Sequence, residues 1–90
     1  MEIEFDPNKR WDTLKHRGVD MANAREVFEG PTVTVDDERK DYGEIRHITF
    51  GKLLGRIVAL AWTMRDGKRR IISMRKANDR EQRIYGDRLD

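Results

Sequence analysis

The 90-residue chain carries 19 Lys/Arg against 17 Asp/Glu, so its net charge is +2 although 40% of its residues are charged. This length predicts one domain over residues 1–90, and the apolar periodicity predicts a globular chain. With no cysteine, disulfides, thiolate metal sites and cysteine nucleophiles are excluded. No apolar run approaches the roughly 20 residues of a membrane span, and no signal-peptide pattern is present. We therefore expect a cytoplasmic protein without a membrane partner.

The charges are distributed unevenly along the chain. Residues 1–45 contain 7 Lys/Arg and 12 Asp/Glu, whereas residues 46–90 contain 12 Lys/Arg and 5 Asp/Glu. The basic half predicts a polyanionic partner, and the alternative is that the two halves attract each other within the fold.

The N-terminal half predicts a short strand and two helices. The strand covers 2–5, and a helix over 8–17 follows, with Trp11 and Leu14 on its apolar stripe. Asp6-Pro7 is the predicted cap at its start, and Gly18 is the predicted residue just past its end. Asp20 caps the second helix, which contains apolar residues at helical spacing. These are Met21, Ala24, Val27 and Phe28.

A β-branched strand is predicted over 32–35, followed by a charged loop over 36–43. Two further strands are predicted over 44–51 and 55–65, and Asp66-Gly67 is a strong hairpin signal. The last strand returns from that turn to a helix capped by Asn78, with Glu81 at capping-box spacing. The order β-α-α-β-β-β-β-α predicts an α+β domain, in which an antiparallel sheet has two N-terminal helices packed on one face and a C-terminal helix.

The alternation of side chains predicts two different faces for the last two hairpins. The first face is apolar, with small residues at its centre: Ile48, Phe50, Ala59, Ala61, Ile72 and Met74, and with Arg46 and Arg70 at its edge. The second face is mixed: His47, Thr49, Val58, Leu60, Trp62, Ile71, Ser73 and Arg75. We predict that helices pack on the first face and that the second is a binding surface.

The stretch Arg69–Asn78 predicts a strongly cationic strand. One interpretation is a surface strand whose charges are solvated. The other is a sheet that presents guanidinium groups to phosphates, where preorganised cations stabilise the charge of a phosphoryl-transfer transition state. In that case the candidate RNA contacts are Arg69, Arg70, Ser73, Arg75 and Lys76.

Acid–base candidates lie outside this strand. His47 is suited to general acid or base catalysis, or is an ordinary strand histidine. Glu44 and Arg46 form either an ordinary ion pair or a carboxylate base beside a phosphate-binding cation. Tyr85 either contacts RNA or packs at the core edge. Because His16 and His47 lack partners at metal-binding spacing, we expect neither a metal nor a cofactor.

Several motifs occur in the order found in one protein family. They are Phe5-Asp6-Pro7-Asn8-Lys9, Gly18-Val19-Asp20-Met21, Ala24-Arg25-Glu26-Val27-Phe28, Tyr42-Gly43-Glu44-Ile45-Arg46, Gly51, and a final block with Arg70, Ser73, Arg75, Lys76, Ala77, Glu81 and Tyr85. The chain thus resembles the BrnT toxins of bacterial type II toxin–antitoxin systems from about residue 3 to residue 85. At two points it departs from their pattern, with Arg17 in the usual place of a histidine and Met74 in that of an alanine. For Met74 we predict repacking.

The resemblance implies a RelE-like fold, ribonuclease activity that blocks translation, and neutralisation by a BrnA-type antitoxin. It also implies that the toxin contacts operator DNA only through that antitoxin. We predict a metal-independent endoribonuclease in which the RNA 2′-hydroxyl is the nucleophile. Its predicted catalytic residues are Glu44 or His47 as base, Arg46, Arg70 and Arg75 as cations, and Tyr85 as a positioning group.

Two alternatives use the same sheet without catalysis. The first is an RNA- or protein-binding module that lacks cleavage activity. The second is a protein interface at Val58, Leu60 and Trp62, which an amphipathic antitoxin segment would cover.

Overall fold

A computed structural model describes residues 2–89, so the two ends of the predicted domain, residues 1 and 90, lie outside the described residues. The elements are β1 (Ile3–Phe5), α1 (Pro7–Arg17), a 3₁₀ turn (Met21–Asn23), α2 (Ala24–Glu29), β2 (Thr32–Asp36), β3 (His47–Leu53), β4 (Arg56–Arg65), β5 (Lys68–Lys76), α3 (Asp79–Tyr85) and a C-terminal 3₁₀ turn (Gly86–Leu89). The predicted α+β class and order of elements are confirmed. Within residues 2–89, none of the helices has the length and apolar character needed to span a membrane.

The five strands form one mixed sheet in the order β1-β5-β4-β3-β2. β1 runs parallel to β5, with Phe5 opposite Ile71, and the other neighbouring strands are antiparallel. The prediction of a purely antiparallel sheet was therefore wrong. β1 is joined to the rest of the sheet through two helices, so no hairpin fixes its direction, and it pairs with the outer edge of β5.

Local capping signals place the helix ends where the sequence predicted them. The Asp6 carboxylate accepts a hydrogen bond from the Asn8 N–H (2.8 Å), and α1 ends at Gly18, whose φ of 69° is left-handed. At the start of α3, Asn78 and Glu81 form a complete capping box.

The pairing of β4 with β5 contains a β-bulge. Trp62 lies opposite Ile71 as predicted, but the next residue of β4, Ala61, lies opposite Ser73. Ile72 is therefore an extra residue in β5. Beyond it, every side chain of β5 lies on the opposite face from the one predicted.

The bulge brings the two candidate cations to the same face. Arg70 lies opposite Thr63 and Arg75 opposite Ala59. In an unbroken strand a separation of five residues would place Arg70 and Arg75 on opposite faces, because side chains alternate. The prediction that Ser73 and Arg75 face away from Arg70 was wrong for this reason.

The helices cover the face that was predicted to be a binding surface. Phe28 of α2 packs edge-on against Trp62, with ring centroids 5.7 Å apart, and Val27 lies directly over Gly51. The main core is formed by Val19, Met21, Ala24, Val27, Leu53, Val58, Leu60, Trp62, Ile71 and Met74. The assignment of the faces was therefore reversed, because Leu60, Trp62 and Ile71 bury more apolar area than Ala59 and Ala61 do.

A smaller core lies on the opposite face, under the C-terminal turn. Leu89 packs there with Val33, Phe50 and Ala59, and Tyr85 of α3 stacks on Phe50. Helix α1 contributes less to the core than predicted. Trp11 is 63% exposed, so its assignment to the apolar stripe was wrong.

Candidate nucleic-acid interface

The part of the sheet that the C-terminal turn leaves uncovered carries Arg70, Ser73 and Arg75, and we call it the arginine face. Ser73, Ala61 and Ile48 lie side by side on three neighbouring strands, and all three are half-buried. Two of them have small side chains, so the floor between the arginines is low. A polymer backbone can approach such a floor closely.

Arg75 is held by a bidentate ion pair with Glu81. Its Nη1 donates to Glu81 Oε1 (2.6 Å) and its Nη2 to Oε2 (2.9 Å), while Oε1 also accepts from the Asn78 N–H. The hydrogen bond between them raises the pKa of Arg75 and lowers the pKa of Glu81, with partial burial opposing both shifts. Among residues 2–89, no group accepts from the Arg75 Nε–H, and the side chain is 37% exposed. Arg75 thus retains donors for an anion.

Arg70 is paired more loosely. Its Nη1 lies 3.7 Å from the carboxylate of Glu4 on the neighbouring β1, and both side chains are about a third exposed. At this contact the acidic and basic halves attract each other, as the alternative to a polyanionic partner expected, and they do so again where Lys68 meets Glu2 at 3.4 Å.

The loop between β2 and β3 brings a further cation to Arg75. The buried Asp37 accepts from Arg39 Nε and Nη2 (both 2.8 Å) and from the Tyr42 hydroxyl (3.1 Å). The hydrogen bond from Arg39 holds the pKa of Asp37 well below its usual range. Arg39 also acts on Arg75, since its positive charge opposes the rise in the pKa of Arg75. Because Asp37 and Glu81 neutralise these two arginines, Arg39 adds guanidinium donors at this point more than net charge.

Glu44 forms the ion pair that the sequence suggested. It accepts from Arg46 Nε (2.9 Å) and from Arg65 Nη2 (3.2 Å). The hydrogen bond from Arg46, aided by the one from Arg65, lowers the pKa of Glu44. Glu44 is consequently ionised at neutral pH but is a weak base.

Three of the sequence candidates lie on the helix-covered face, across the sheet from Arg75. The His47 ring packs against Trp62, with centroids 4.6 Å apart and planes tilted by 38°, and its Nδ1 lies 3.0 Å from Asp36. The guanidinium of Arg69 lies 4.0 Å from the ring of Phe28. Lys76 lies opposite Val58, with its Nζ beside Gly18. The structure therefore does not bring His47, Arg69 or Lys76 together with Arg75.

The chain matches, over residues 5–81, the family described as the ribonuclease toxin BrnT of type II toxin-antitoxin systems. This match covers most of the chain. The chain belongs to the BrnT toxin family. A search among curated proteins finds no match. Family membership implies ribonuclease activity in general, an RNA substrate and an antitoxin protein as partner.

Tyr85 of this BrnT toxin packs at the edge of the smaller core. Its ring stacks on Phe50, with centroids 4.2 Å apart and planes 18° from parallel. Phe50 lies beside Ala59, which lies beside Arg75, so Tyr85 is at the Arg75 end of the arginine face. Within residues 2–89 its hydroxyl has no hydrogen-bond partner and is available to a ligand.

The two departures from the BrnT pattern contact each other. Met74 is fully buried in the main core. Arg17 Nη1 donates to the Met74 carbonyl at the outer edge of β5 (3.5 Å). Across residues 2–89, no three His, Asp or Glu side chains converge in a group that could hold a metal ion.

Sequence reasoning missed three groups at the site. Glu81 was interpreted only as a cap, although it also binds Arg75, and Glu4 and Arg39 were not considered. The Asp37-x-Arg39 spacing was the available signal for a loop closed on itself. No local signal pairs Glu4 with Arg70, because that contact depends on the parallel placement of β1.

Proposed function

We propose that this BrnT toxin binds and cleaves RNA on its arginine face and thereby inhibits translation. The observation that carries the proposal is the bulge at Ile72, which places Arg70, Ser73 and Arg75 on one face. Bulges often occur beside active sites, where they re-aim side chains. Guanidinium groups suit this task because their fixed fork of donors matches phosphate oxygens.

The spacing of the cations fits a polymer. Arg70 and Arg75 lie opposite Thr63 and Ala59, which are four residues apart on β4, so the two positions are about 13 Å apart at about 3.3 Å per residue. An RNA strand that follows β5 would meet them at different phosphates. Arg39 adds a second guanidinium group near Arg75. Arg46 lies at the Arg70 end, because the carbonyl of the preceding Ile45 accepts a hydrogen bond from Thr63, the residue opposite Arg70.

The proposed cleavage step uses these positions. The 2′-hydroxyl attacks the adjacent phosphorus and loses its proton to a base, and the bond to the 5′-oxygen breaks as that oxygen takes a proton from solvent water, which leaves a 2′,3′-cyclic phosphate and a 5′-hydroxyl. Arg75, fixed by Glu81, stabilises the charge that builds on the phosphate oxygens. Neither candidate base lies beside Arg75, since His47 is on the other face and Glu44 lies with Arg65 at the Arg70 end. Glu44 therefore takes the proton at a phosphodiester held by Arg70, and solvent water accepts the proton at Arg75. Tyr85 orients the RNA at the Arg75 end.

The proposal covers residues 1–90 as one BrnT-like toxin domain with the RelE-like fold that the resemblance implies. In this proposal the protein acts in the cytoplasm without a metal ion, and a BrnA-type antitoxin neutralises it. Operator DNA is contacted only through that antitoxin.

The test compares cleavage of RNA by wild-type protein and by Arg75→Ala in the presence of a chelator. Loss of one preorganised donor group lowers a rate about 10²–10³-fold, and we expect a loss of this size. The matched control is Arg25→Ala, which removes an exposed arginine from α2 on the other side of the sheet. Undiminished cleavage by Arg75→Ala would remove Arg75 from the site. Abolition of wild-type cleavage by the chelator would refute the metal-free scheme.

A non-catalytic RNA-binding module is the second candidate. It is favoured by the weak basicity of Glu44 and by the absence, within residues 2–89, of an unpaired carboxylate or imidazole among the candidates at the Arg75 end. Salt-dependent RNA binding without cleavage would identify it.

A further inference from the structure

Two hairpin turns of this chain adopt the same geometry with different residues. Asp66 and Gly67 join β4 to β5 with φ values of 54° and 75°, and Leu54 and Gly55 join β3 to β4 with φ values of 52° and 77°. Left-handed backbone at both central positions favours Asn or Asp followed by Gly. Asp66 meets that preference, whereas Leu54 does not, because its Cβ crowds the following carbonyl.

Leu54 is not held there by the core. Its side chain is 88% exposed, the most exposed of the large apolar residues that the structure describes. The turn therefore carries a residue that neither its backbone geometry nor core packing favours. Strained residues cluster at functional sites, so Leu54 is a candidate for a contact made outside the folded chain.

Leu54 stands at the edge of an apolar cavity of about 280 Å³. We call this surface the leucine corner, and it consists of Val19, Leu53, Leu54, Val58, Arg56 and Lys76. Arg56 and Lys76 also line an adjoining cavity of about 470 Å³, which continues to Gln82 and Asp87. The two cations thus stand between an apolar pocket and a polar one.

The cations of the leucine corner differ from those of the arginine face in their ion pairing. Within residues 2–89, neither Arg56 nor Lys76 forms an ion pair, unlike Arg39, Arg46, Arg70 and Arg75 of the arginine face. A ligand complementary to this surface carries apolar side chains next to carboxylates. A nucleic acid would satisfy the cations but would leave the exposed leucine and the apolar cavity unexplained.

We propose that the leucine corner docks a segment of the antitoxin that combines apolar side chains with carboxylates. The proposal rests on the toxin–antitoxin part of the proposed function and is independent of cleavage chemistry. The leucine corner lies at the Arg56 end of β4, whereas Arg65 and its partner Glu44 lie at the other end. Lys76 lies on the opposite face of β5 from Arg75. The antitoxin therefore binds the toxin at a surface separate from the arginine face.

The test measures the Kd between this chain and the antitoxin protein encoded in the same operon, for wild type, Leu54→Asn and Arg56→Glu. Asparagine tolerates a positive φ better than leucine, so Leu54→Asn should unfold at the same temperature as wild type or higher. We expect each variant to weaken binding by about thirtyfold, the loss typical of an interface anchor. Met64→Asn, at the other end of β4 with 46% exposure, is the matched control and should bind as wild type does.

The outcomes separate this proposal from the proposed function. Wild-type affinity for the antitoxin in both variants would overturn the docking proposal. It would also be overturned if Arg56→Glu lost RNA binding but kept its affinity for the antitoxin, because that result would assign the surface to RNA. RNA cleavage by Leu54→Asn should equal that of wild type. If wild type proves unable to cleave RNA, the antitoxin titrations still decide whether the leucine corner docks the antitoxin.

Discussion

Replacing Glu81 by glutamine separates two tasks of this side chain. In the folded chain its Oε1 accepts from the Asn78 N–H and from Arg75 Nη1, and its Oε2 accepts from Arg75 Nη2. Glutamine retains one acceptor oxygen and serves in a capping box as glutamate does. The start of α3 should therefore persist, while Arg75 loses a charged partner and one of its two acceptors.

The size of the effect follows from exposure and geometry. A hydrogen bond to a charged group contributes about 1.5–3 kcal/mol, but the Arg75 side chain is 37% exposed and solvent screens the pair. We expect a loss of about 1 kcal/mol, which lowers Tm by about 4–8 °C in a domain of this size. The rate of RNA cleavage should fall by about 10–100-fold, because a misplaced catalytic group loses most of its effect.

The assay is single-turnover cleavage of RNA, alongside thermal unfolding, for Glu81→Gln, Arg75→Ala and the double variant. If Glu81 acts through Arg75, the double variant should cleave no more slowly than Arg75→Ala alone, since the two effects are not additive. A Glu81→Gln protein that cleaves at the wild-type rate despite a lower Tm would refute this reasoning. It would show that Glu81 is only a cap.

Three further predictions concern packing, faces and pH. Gly51→Ala should lower the free energy of unfolding by about 1–3 kcal/mol, because the new Cβ would lie 2.6 Å from Val27. Gly86→Ala is the control in the same urea titrations and should not destabilise the fold, because its Cβ would lie 3.6 Å from Ile57. His47→Gln should cleave RNA within about twofold of wild type, as expected of a group outside the transition state, and a hundredfold loss would return His47 to the site. Asp37, whose pKa is lowered by Arg39, contributes stability that is complete above its unfolded pKa of about 3.9 and is lost as pH falls through its folded pKa. Urea titrations from pH 7 to pH 3 should therefore show a smaller loss of stability in Asp37→Asn than in wild type, and equal slopes would contradict this.

Local signals predicted the local structure well. The caps at Asp6, Gly18 and Asn78 and the turn at Asp66-Gly67 each depend on a few neighbouring residues, and each was confirmed. The grouping of side chains across β3 and β4 was also confirmed, because a tight hairpin fixes its own register.

The remaining features depend on contacts that no short stretch encodes. Ile71-Ile72 contains no glycine that would indicate a bulge, yet one extra residue reversed the faces of β5. The face covered by helices was decided by the area of Leu60 and Trp62 against that of the alanines. For the site, the sequence identified Arg70, Ser73 and Arg75 as candidate residues but did not predict that they share one face of the sheet.

The most direct test of the account is to locate RNA on the folded chain. An RNA oligonucleotide with 2′-O-methyl groups cannot attack its own phosphates, so it forms a stable complex that NMR titration can map. We predict that the largest shifts occur at the amides of Ser73 and Arg75 and at the guanidinium Nε–H groups of Arg70 and Arg75, with Arg69 and His47 little changed. Shifts concentrated at Arg69 and His47, on the helix-covered face, would contradict the placement of RNA on the arginine face.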